Sequence, residues 1–542
     1  MVLYRQDQLD THTELKKRAT VMKRPQSHLR NLLQKPDRLA RYSAEGGGLF
    51  FDYSRQRLDD TTRQLLFDLD KKLRLRKRFE QMCAGAQLNV TEKRAVLHTA
   101  CRNFGQAPIL VDGKDIMPDI RRVRDQIKAF CGQIHGGQIT GANGKPFRHV
   151  VVIGIGGSYL GPEFVSTALT PLADRGIALH YLANVDIDNF GAVAAAIDPP
   201  TTLWVVISKS YTTAETSANT VAAEEFMRAQ GLDPAKHMVT VTSKGSPGDD
   251  PNRPVLQTFH MFDYIGGRYS VTSAVGGVPL SLFLGYDCFE AFLKGAAEMD
   301  QHALNAPVEE NLPLLAALIS VWNTTYLGYQ QQGIIPYASP LAKLAPHVQQ
   351  LNMESNGKAV DVKGKFLPEP AGMVIFGEPG TNAQHSFFQL AHQGKPFPID
   401  FIGARKPHHP QYASRSKGVT NHQELWANLI AQAQALALGK EDKDKARYFS
   451  GNRPSSTIIM EDLGPENIGR LLSFYEARTV YEGFIWGINS FDQFGVELGK
   501  KLADGLRGHM AERNRNSNYD FGGVDSISKF YLQLLFDGTG KN

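Results

Sequence analysis

An α/β protein built on parallel sheets is the fold class this sequence predicts, and three observations predict it. His149-Val150-Val151-Val152-Ile153-Gly154 is a short β-branched run ending in glycine. Leu203-Trp204-Val205-Val206-Ile207-Ser208 repeats the pattern. Each run is followed by a helix-like stretch, the second spanning Ala214 to Arg228. Continuous apolar strands alternating with helices indicate a parallel sheet buried on both faces. Ligands of such sheets bind at the carboxyl ends of the strands.

Along the chain, residues 1–105 read as helical and basic. The basic run Leu73-Arg74-Leu75-Arg76-Lys77-Arg78 is expected to be a solvated helix face rather than a nucleic-acid patch. Gly46-Gly47-Gly48 interrupts this region before the strand-like Leu49-Phe50-Phe51-Asp52-Tyr53. The two apolar runs place a first α/β region at 106–290. A second runs through 291–510, with Met373-Val374-Ile375-Phe376 and Pro398-Ile399-Asp400-Phe401-Ile402 as its best strand candidates. Residues 511–542 form a polar tail followed by a short apolar helix. No internal repeat or low-complexity segment is visible.

With 542 residues the chain can form more than one domain. Apolar residues make up 42% and charged residues 21%, which is ordinary soluble globular composition. A net charge of +5 is mild and gives no case for nucleic acid. Cys83, Cys101, Cys131 and Cys288 are scattered without disulfide or metal spacing, which points to a reducing compartment. The polar N-terminus shows no signal peptide, and no apolar run reaches the length of a membrane span. A cytoplasmic location is expected.

Gly154-Ile155-Gly156-Gly157-Ser158-Tyr159 follows a strand and opens a helix, where backbone N–H groups and the helix dipole favour an anion. The lysine of a P-loop is missing, and Tyr159 stands where a dinucleotide fingerprint needs its third glycine. Tight helix–strand packing explains such a turn equally well. Ser208-Lys209-Ser210-Tyr211-Thr212-Thr213 follows the next strand. Five hydroxyls and a lysine suit a phosphate better than a helix cap, which needs one hydroxyl. Two such loops at neighbouring strand ends make a sugar monophosphate the economical ligand.

Arg268, in Ile265-Gly266-Gly267-Arg268-Tyr269-Ser270, keeps its charge near neutrality and suits a developing oxyanion. A structural ion pair is the plain alternative. Glu354 is a lone carboxylate amid the amides of Gln349-Gln350-Leu351-Asn352-Met353-Glu354 and suits a general base if burial raises its pKa, a helix-surface glutamate being the more frequent alternative on sequence alone. His385 and His392 lie seven apart on an expected helix, without zinc spacing. An acid/base role fits His385, and a structural one His392; no metal is expected. Gln493 and Lys500 also lie seven apart, which predicts one helical face suited to a phosphorylated or hydroxylated ligand, although spacing alone favours a solvated amphipathic helix.

These segments together resemble the glucose-6-phosphate isomerase family. The Gly266–Ser270 block and Gly487–Lys500 resemble its two signature patterns. Gly48–Ser54 and Asn452-Arg453-Pro454-Ser455-Ser456 look familial too, so the resemblance spans most of residues 30–505. It implies two sugar-isomerase (SIS-type) α/β domains, 106–290 the smaller and 291–510 the larger, with a helical extension at 1–105 packed on the larger. It implies a cofactor-free interconversion of glucose 6-phosphate and fructose 6-phosphate through ring opening and a cis-enediol.

The resemblance also assigns residues. Glu354 matches the base and Arg268 the arginine that stabilises the enediolate. His385 and Lys500 match the groups that assist ring opening, with His385 contributed across a homodimer and Glu215 orienting it. Gly157, Ser158 and Ser208 to Thr213 match sugar and phosphate contacts, as do Gln350 and Gln493.

Ser210, Tyr159, Thr272 and Phe494 depart from common family residues without removing a catalytic group. A sugar-phosphate sensor without catalysis is the alternative, yet it should have lost Glu354 or His385. A zinc-dependent isomerase and a dinucleotide enzyme are weaker readings.

Overall fold

A computed structural model describes residues 5–538 of the chain. It divides into two compact units, Met1–Phe491 and Asp492–Asn542.

In the first unit, β1 (Ser43–Gly46) and β2 (Leu49–Asp52) form an antiparallel hairpin across the expected glycine break. Two helices follow, α1 (Asp60–Leu73) and α2 (Leu75–Cys83), separated by Arg74 at φ 54°. The basic run therefore straddles a break. Its Arg78 is not solvated: it is buried and donates to the Phe484 carbonyl at 2.6 Å.

The first sheet has five parallel strands: β3 (His149–Ile153), β4 (Ala178–Leu182), β5 (Thr202–Ile207), β6 (Met238–Ser243) and β7 (Gln257–Met261). Helix α3 (Leu160–Leu169) follows β3, and α4 (Ala214–Ala229) follows β5. Every residue of β5 is buried, as its unbroken apolar run requires. The spatial order is β4-β3-β5-β6-β7. Strand order reverses between β3 and β5, and ligands of open α/β sheets bind beyond the carboxyl ends of the strands at such a point. The two loops there are Gly154–Tyr159 and Ser208–Thr213.

Helix α5 (Tyr286–Asn305) leads into the second sheet. Its strands are β8 (Gln331–Pro336), β9 (Val374–Phe376), β10 (Ile399–Ala404) and β11 (Ser455–Met460), parallel to one another. β2 joins β11 antiparallel, so the order is β1-β2-β11-β10-β8-β9. The N-terminal region thus supplies strands as well as helices. Between β8 and β9, α6 (Leu344–Gln349) passes into a π-helical turn, Gln350–Glu354. Helix α7 (Pro465–Trp486) is buried along almost its whole length.

In the second unit, α8 (Glu497–Arg515) and α9 (Ser526–Asp537) are joined by a polar connection. Gln493 precedes a 3-10 turn, Phe494–Val496, at φ −150°. It therefore stands outside α8, and the single helical face expected for Gln493 and Lys500 is corrected. A spacing of seven puts two residues on one face only if the helix is continuous.

Candidate active site

Four backbone segments of the first unit converge. The glycine turn after β3 puts Gly156 in the left-handed region at φ 58°, where a β-carbon would come 3.1 Å from Gln350 Nε2. A β-carbon at Gly157 would overlap the Gly267 carbonyl and come 2.7 Å from the Arg268 nitrogen. The glycines therefore let this turn touch both the arginine turn and the π-helical turn. Ser158 closes the turn and is half-buried.

Arg268 is only 3% exposed. Its Nε donates to Ser355 Oγ at 2.7 Å, and its Nη2 donates to the Ser490 carbonyl at 2.7 Å. Tyr269 braces the same serine, its hydroxyl 3.0 Å from Ser355 Oγ, and burial pushes that phenol up to about 12. So held, Arg268 Nη1 lies 3.7 Å from Glu354 Oε1. Glu354 Oε2 accepts from Gln350 Nε2 at 3.0 Å. The Glu354 side chain is 22% exposed, within reach of a ligand. π-turns inside α-helices are frequent at functional sites because the extra residue redirects a side chain. Gln350 Oε1 is buried without a partner among the described residues and can accept from a ligand hydroxyl.

The hydroxyl loop after β5 is shaped by its own side chains. Ser208 is buried, and its Oγ accepts from the Tyr211 backbone N–H at 3.1 Å, with Tyr211 at φ 57°. Ser210 Oγ accepts from the Thr212 hydroxyl at 2.8 Å. Thr213 is the N-cap of α4 without a side-chain cap bond. The first N–H groups of that helix receive no cap from the Thr213 side chain, and free N–H groups at a helix start suit an oxyanion. Lys209 is engaged differently. Its ammonium donates to the Asp263 carbonyl at 3.0 Å and the Ile265 carbonyl at 3.4 Å. It ties the hydroxyl loop to the segment that leads into Arg268, and burial lowers its pKa.

The remaining expected residues lie elsewhere. His385 is exposed at the end of a 3-10 turn, Asn382–His385, and His392 belongs to a separate helix, Phe388–Gln393. The common helix expected for them is thus corrected. His392 Nε2 is 2.8 Å from Gln432 Oε1, as a structural histidine should be. Glu215 sits in the first turn of α4, and no hydrogen bond or ion pair joins it to His385 among the described residues. Gln493 and Lys500 belong to the second unit.

Ser355, Tyr269 and the Ser490 carbonyl were missed as supports of Arg268. Ser355 adjoins Glu354 in sequence, but nothing in a serine's identity announces an arginine contact. No group of three or more potential metal ligands is found among the described residues. Nor is any of their helices long and apolar enough to cross a membrane.

Residues 52–525 match the sequence profile of the phosphoglucose isomerase family. The chain is 61% identical over 538 residues to a glucose-6-phosphate isomerase of Desulfosudis oleivorans, covering 98% of each. It is 43% identical over 534 residues to a cytosolic glucose-6-phosphate isomerase of Spinacia oleracea, covering 94% of each. The crystal structure of a glucose-6-phosphate isomerase from Chlamydia trachomatis superposes with a TM-score of 0.89 at 36% identity, covering 99% of this chain and 100% of that one.

Proposed function

The chain belongs to the phosphoglucose isomerase family and reversibly interconverts glucose 6-phosphate and fructose 6-phosphate, and on that premise we propose that Glu354 is the base that moves the proton. The observation that carries this reading is the 3.7 Å approach of Arg268 to the Glu354 carboxylate. A proton on a carbon beside a carbonyl is acidic only when the resulting enediolate charge is met. Glu354 takes the proton from C2 of the open-chain aldose, and Arg268 faces the oxygen that gains the charge. The hydroxyl proton passes from O2 to O1, and returning the carbon-bound proton to C1 then gives the ketose, so no electron leaves the substrate. A base and a fixed cation therefore serve this proton shift without a redox cofactor, and no metal is assigned to it.

The phosphate is assigned to Ser208, Ser210, Tyr211, Thr212 and Thr213 with the first turn of α4. Lys209 braces this loop and contributes its charge nearby. Gly157, Ser158 and Gln350 are assigned to the sugar. His385 and Lys500 are assigned to ring opening, and Gln493 to substrate contact, by family resemblance. The exposure of His385 supports its donation across a homodimer. The sheets at 149–261 and 331–460, the latter extended by strands at 43–52, support SIS-type domains at 106–290 and 291–510, with extensions at 1–105 and 511–542. A cytoplasmic location is proposed with them.

The test is fructose 6-phosphate isomerisation in EDTA, with glucose 6-phosphate detected by a coupled dehydrogenase, beside Glu354→Gln. The parent protein turns over, and the variant loses about 10²–10⁴-fold. A variant as fast as the parent removes Glu354 from the base role. A folded parent without turnover in EDTA removes the metal-free mechanism.

A further inference from the structure

Behind the Glu354–Arg268 pair lies a carboxylate that meets no solvent. Glu482, on α7, is fully buried. Its Oε1 accepts from Arg478 Nε at 2.9 Å. Its Oε2 accepts from two amides, Asn352 Nδ2 at 2.6 Å and Asn356 Nδ2 at 3.0 Å. Those asparagines stand four residues apart and flank Glu354 and Ser355. The segment they hold is the π-helical turn Gln350–Glu354 and the α-helical residues after it. A π-turn is rare in helices, and bonds from a neighbouring helix secure it.

The same amides reach Arg268. Asn356 Oδ1 accepts from Ser490 Oγ at 2.7 Å, and the Ser490 carbonyl accepts from Arg268 Nη2 at 2.7 Å. On the other side Ser355, adjacent to Asn356, accepts from Arg268 Nε. One carboxylate thus holds the turn that carries the base and, through one asparagine and one serine, the cation opposite it. Arg478 in turn donates to Asp400 on β10 at 2.7 Å, so the network is fixed to the second sheet.

We propose that Glu482 is a positioning residue for proton transfer, setting the approach of Arg268 to Glu354 without touching substrate. The proposal rests on Glu354 acting as the base. Three N–H donors converge on the Glu482 oxygens, from Arg478, Asn352 and Asn356. Only a carboxylate presents acceptors on both sides; glutamine at 482 would turn its own NH2 against at least one of these donors.

The experiment compares the full-length parent, Glu482→Gln, Asn356→Ala and Glu354→Gln. It measures kcat and KM for glucose 6-phosphate, and the isotope effect with substrate deuterated at C2. For Glu482→Gln, kcat is expected to fall about 10–100-fold, since small displacements of a reacting group cost that much. KM should stay within about threefold, and the isotope effect should rise as proton transfer becomes slower. A merely structural role lowers the active fraction and leaves KM and the isotope effect at parent values.

Asn356→Ala cuts the same link and is expected to give the same signature, so it decides the matter if Glu482→Gln does not fold. Folded variants with the parent's kcat and isotope effect overturn the proposal. Failure of both to fold also overturns it, because the network then serves stability alone. Full turnover in Glu354→Gln would instead sink the base assignment itself.

Discussion

Gly157 lies directly against the peptide that joins Gly267 to Arg268. The glycine turn after β3 and the turn that presents the arginine therefore share one van der Waals surface. A β-carbon at Gly157 would overlap backbone, which cannot swing aside as a side chain can. Gly157→Ala is expected to displace Arg268 from Glu354 and lower kcat/KM about 100-fold. Initial-rate kinetics check it, and a variant within twofold of the parent would show that the arginine turn is not set by this contact.

Arg268 is held through two nitrogens, by Ser355 Oγ and by the Ser490 carbonyl. Lysine has one donor centre at the end of a flexible stem and cannot repeat that grip. Arg268→Lys keeps the charge but not its direction. It is expected to lower kcat about 10²–10³-fold, the scale for losing a fixed oxyanion donor. KM should change only a few-fold. A large rise in KM with kcat preserved would assign Arg268 to ground-state binding instead.

The hydroxyl loop offers a separate lever. Tyr211 adopts φ 57°, unusual for a bulky residue, and its ring packs where a β-carbon of Gly248 would sit. Gly248→Ala should push the ring away and loosen residues 208–213. If that loop holds the phosphate, KM for fructose 6-phosphate rises about tenfold, or about 1.4 kcal/mol, while kcat stays within about threefold. Unchanged KM in steady-state assays would separate the loop from the phosphate.

The strands that the sequence displays are those that bury plain hydrocarbon. Val150 to Ile153 and Leu203 to Ile207 are buried throughout, so each reads as an unbroken apolar run. β8 and β11 hide their strand character behind buried polar groups. Gln332 of β8 donates to Asp400, and Ser456 of β11 accepts from Gln56. Such residues are admissible inside because each finds a partner far along the chain. The site divides likewise. Glu354 and Arg268 stand out as lone charged residues among amides and glycines, whereas the Arg268–Ser490 bond spans 222 residues. Local pattern carries no trace of such a contact, nor does it show that a 3-10 turn separates Gln493 from Lys500.

A second buried charge cluster, which includes Glu476 of α7, makes stability fall as pH rises toward neutrality. Arg102 donates through Nε and Nη2 to Asp300, at 2.6 and 2.8 Å, and through Nη1 to Glu476. One cation thus serves two carboxylates, and Glu476 Oε1 has no hydrogen-bond partner among the described residues. Burial outweighs the pull of Arg102 and pushes Glu476 up to about 7, from an ordinary value of 4.5. The native protein then binds a proton at Glu476 that the unfolded chain releases between those two values. Stability from this group is present at and below pH 4.5 and is lost as pH rises through about 7. The shift corresponds to about 3 kcal/mol across the window. Glu476→Gln cannot titrate there. The unfolding free energy of the parent minus that of the variant, from urea titrations, is therefore expected to fall by about 3 kcal/mol between about pH 4.5 and about pH 7.5. Titrating groups remote from Arg102 cancel in that difference, whereas Asp300 shares that arginine with Glu476. A difference independent of pH would mean that Glu476 is already ionised in the native protein, with Arg102 prevailing over burial.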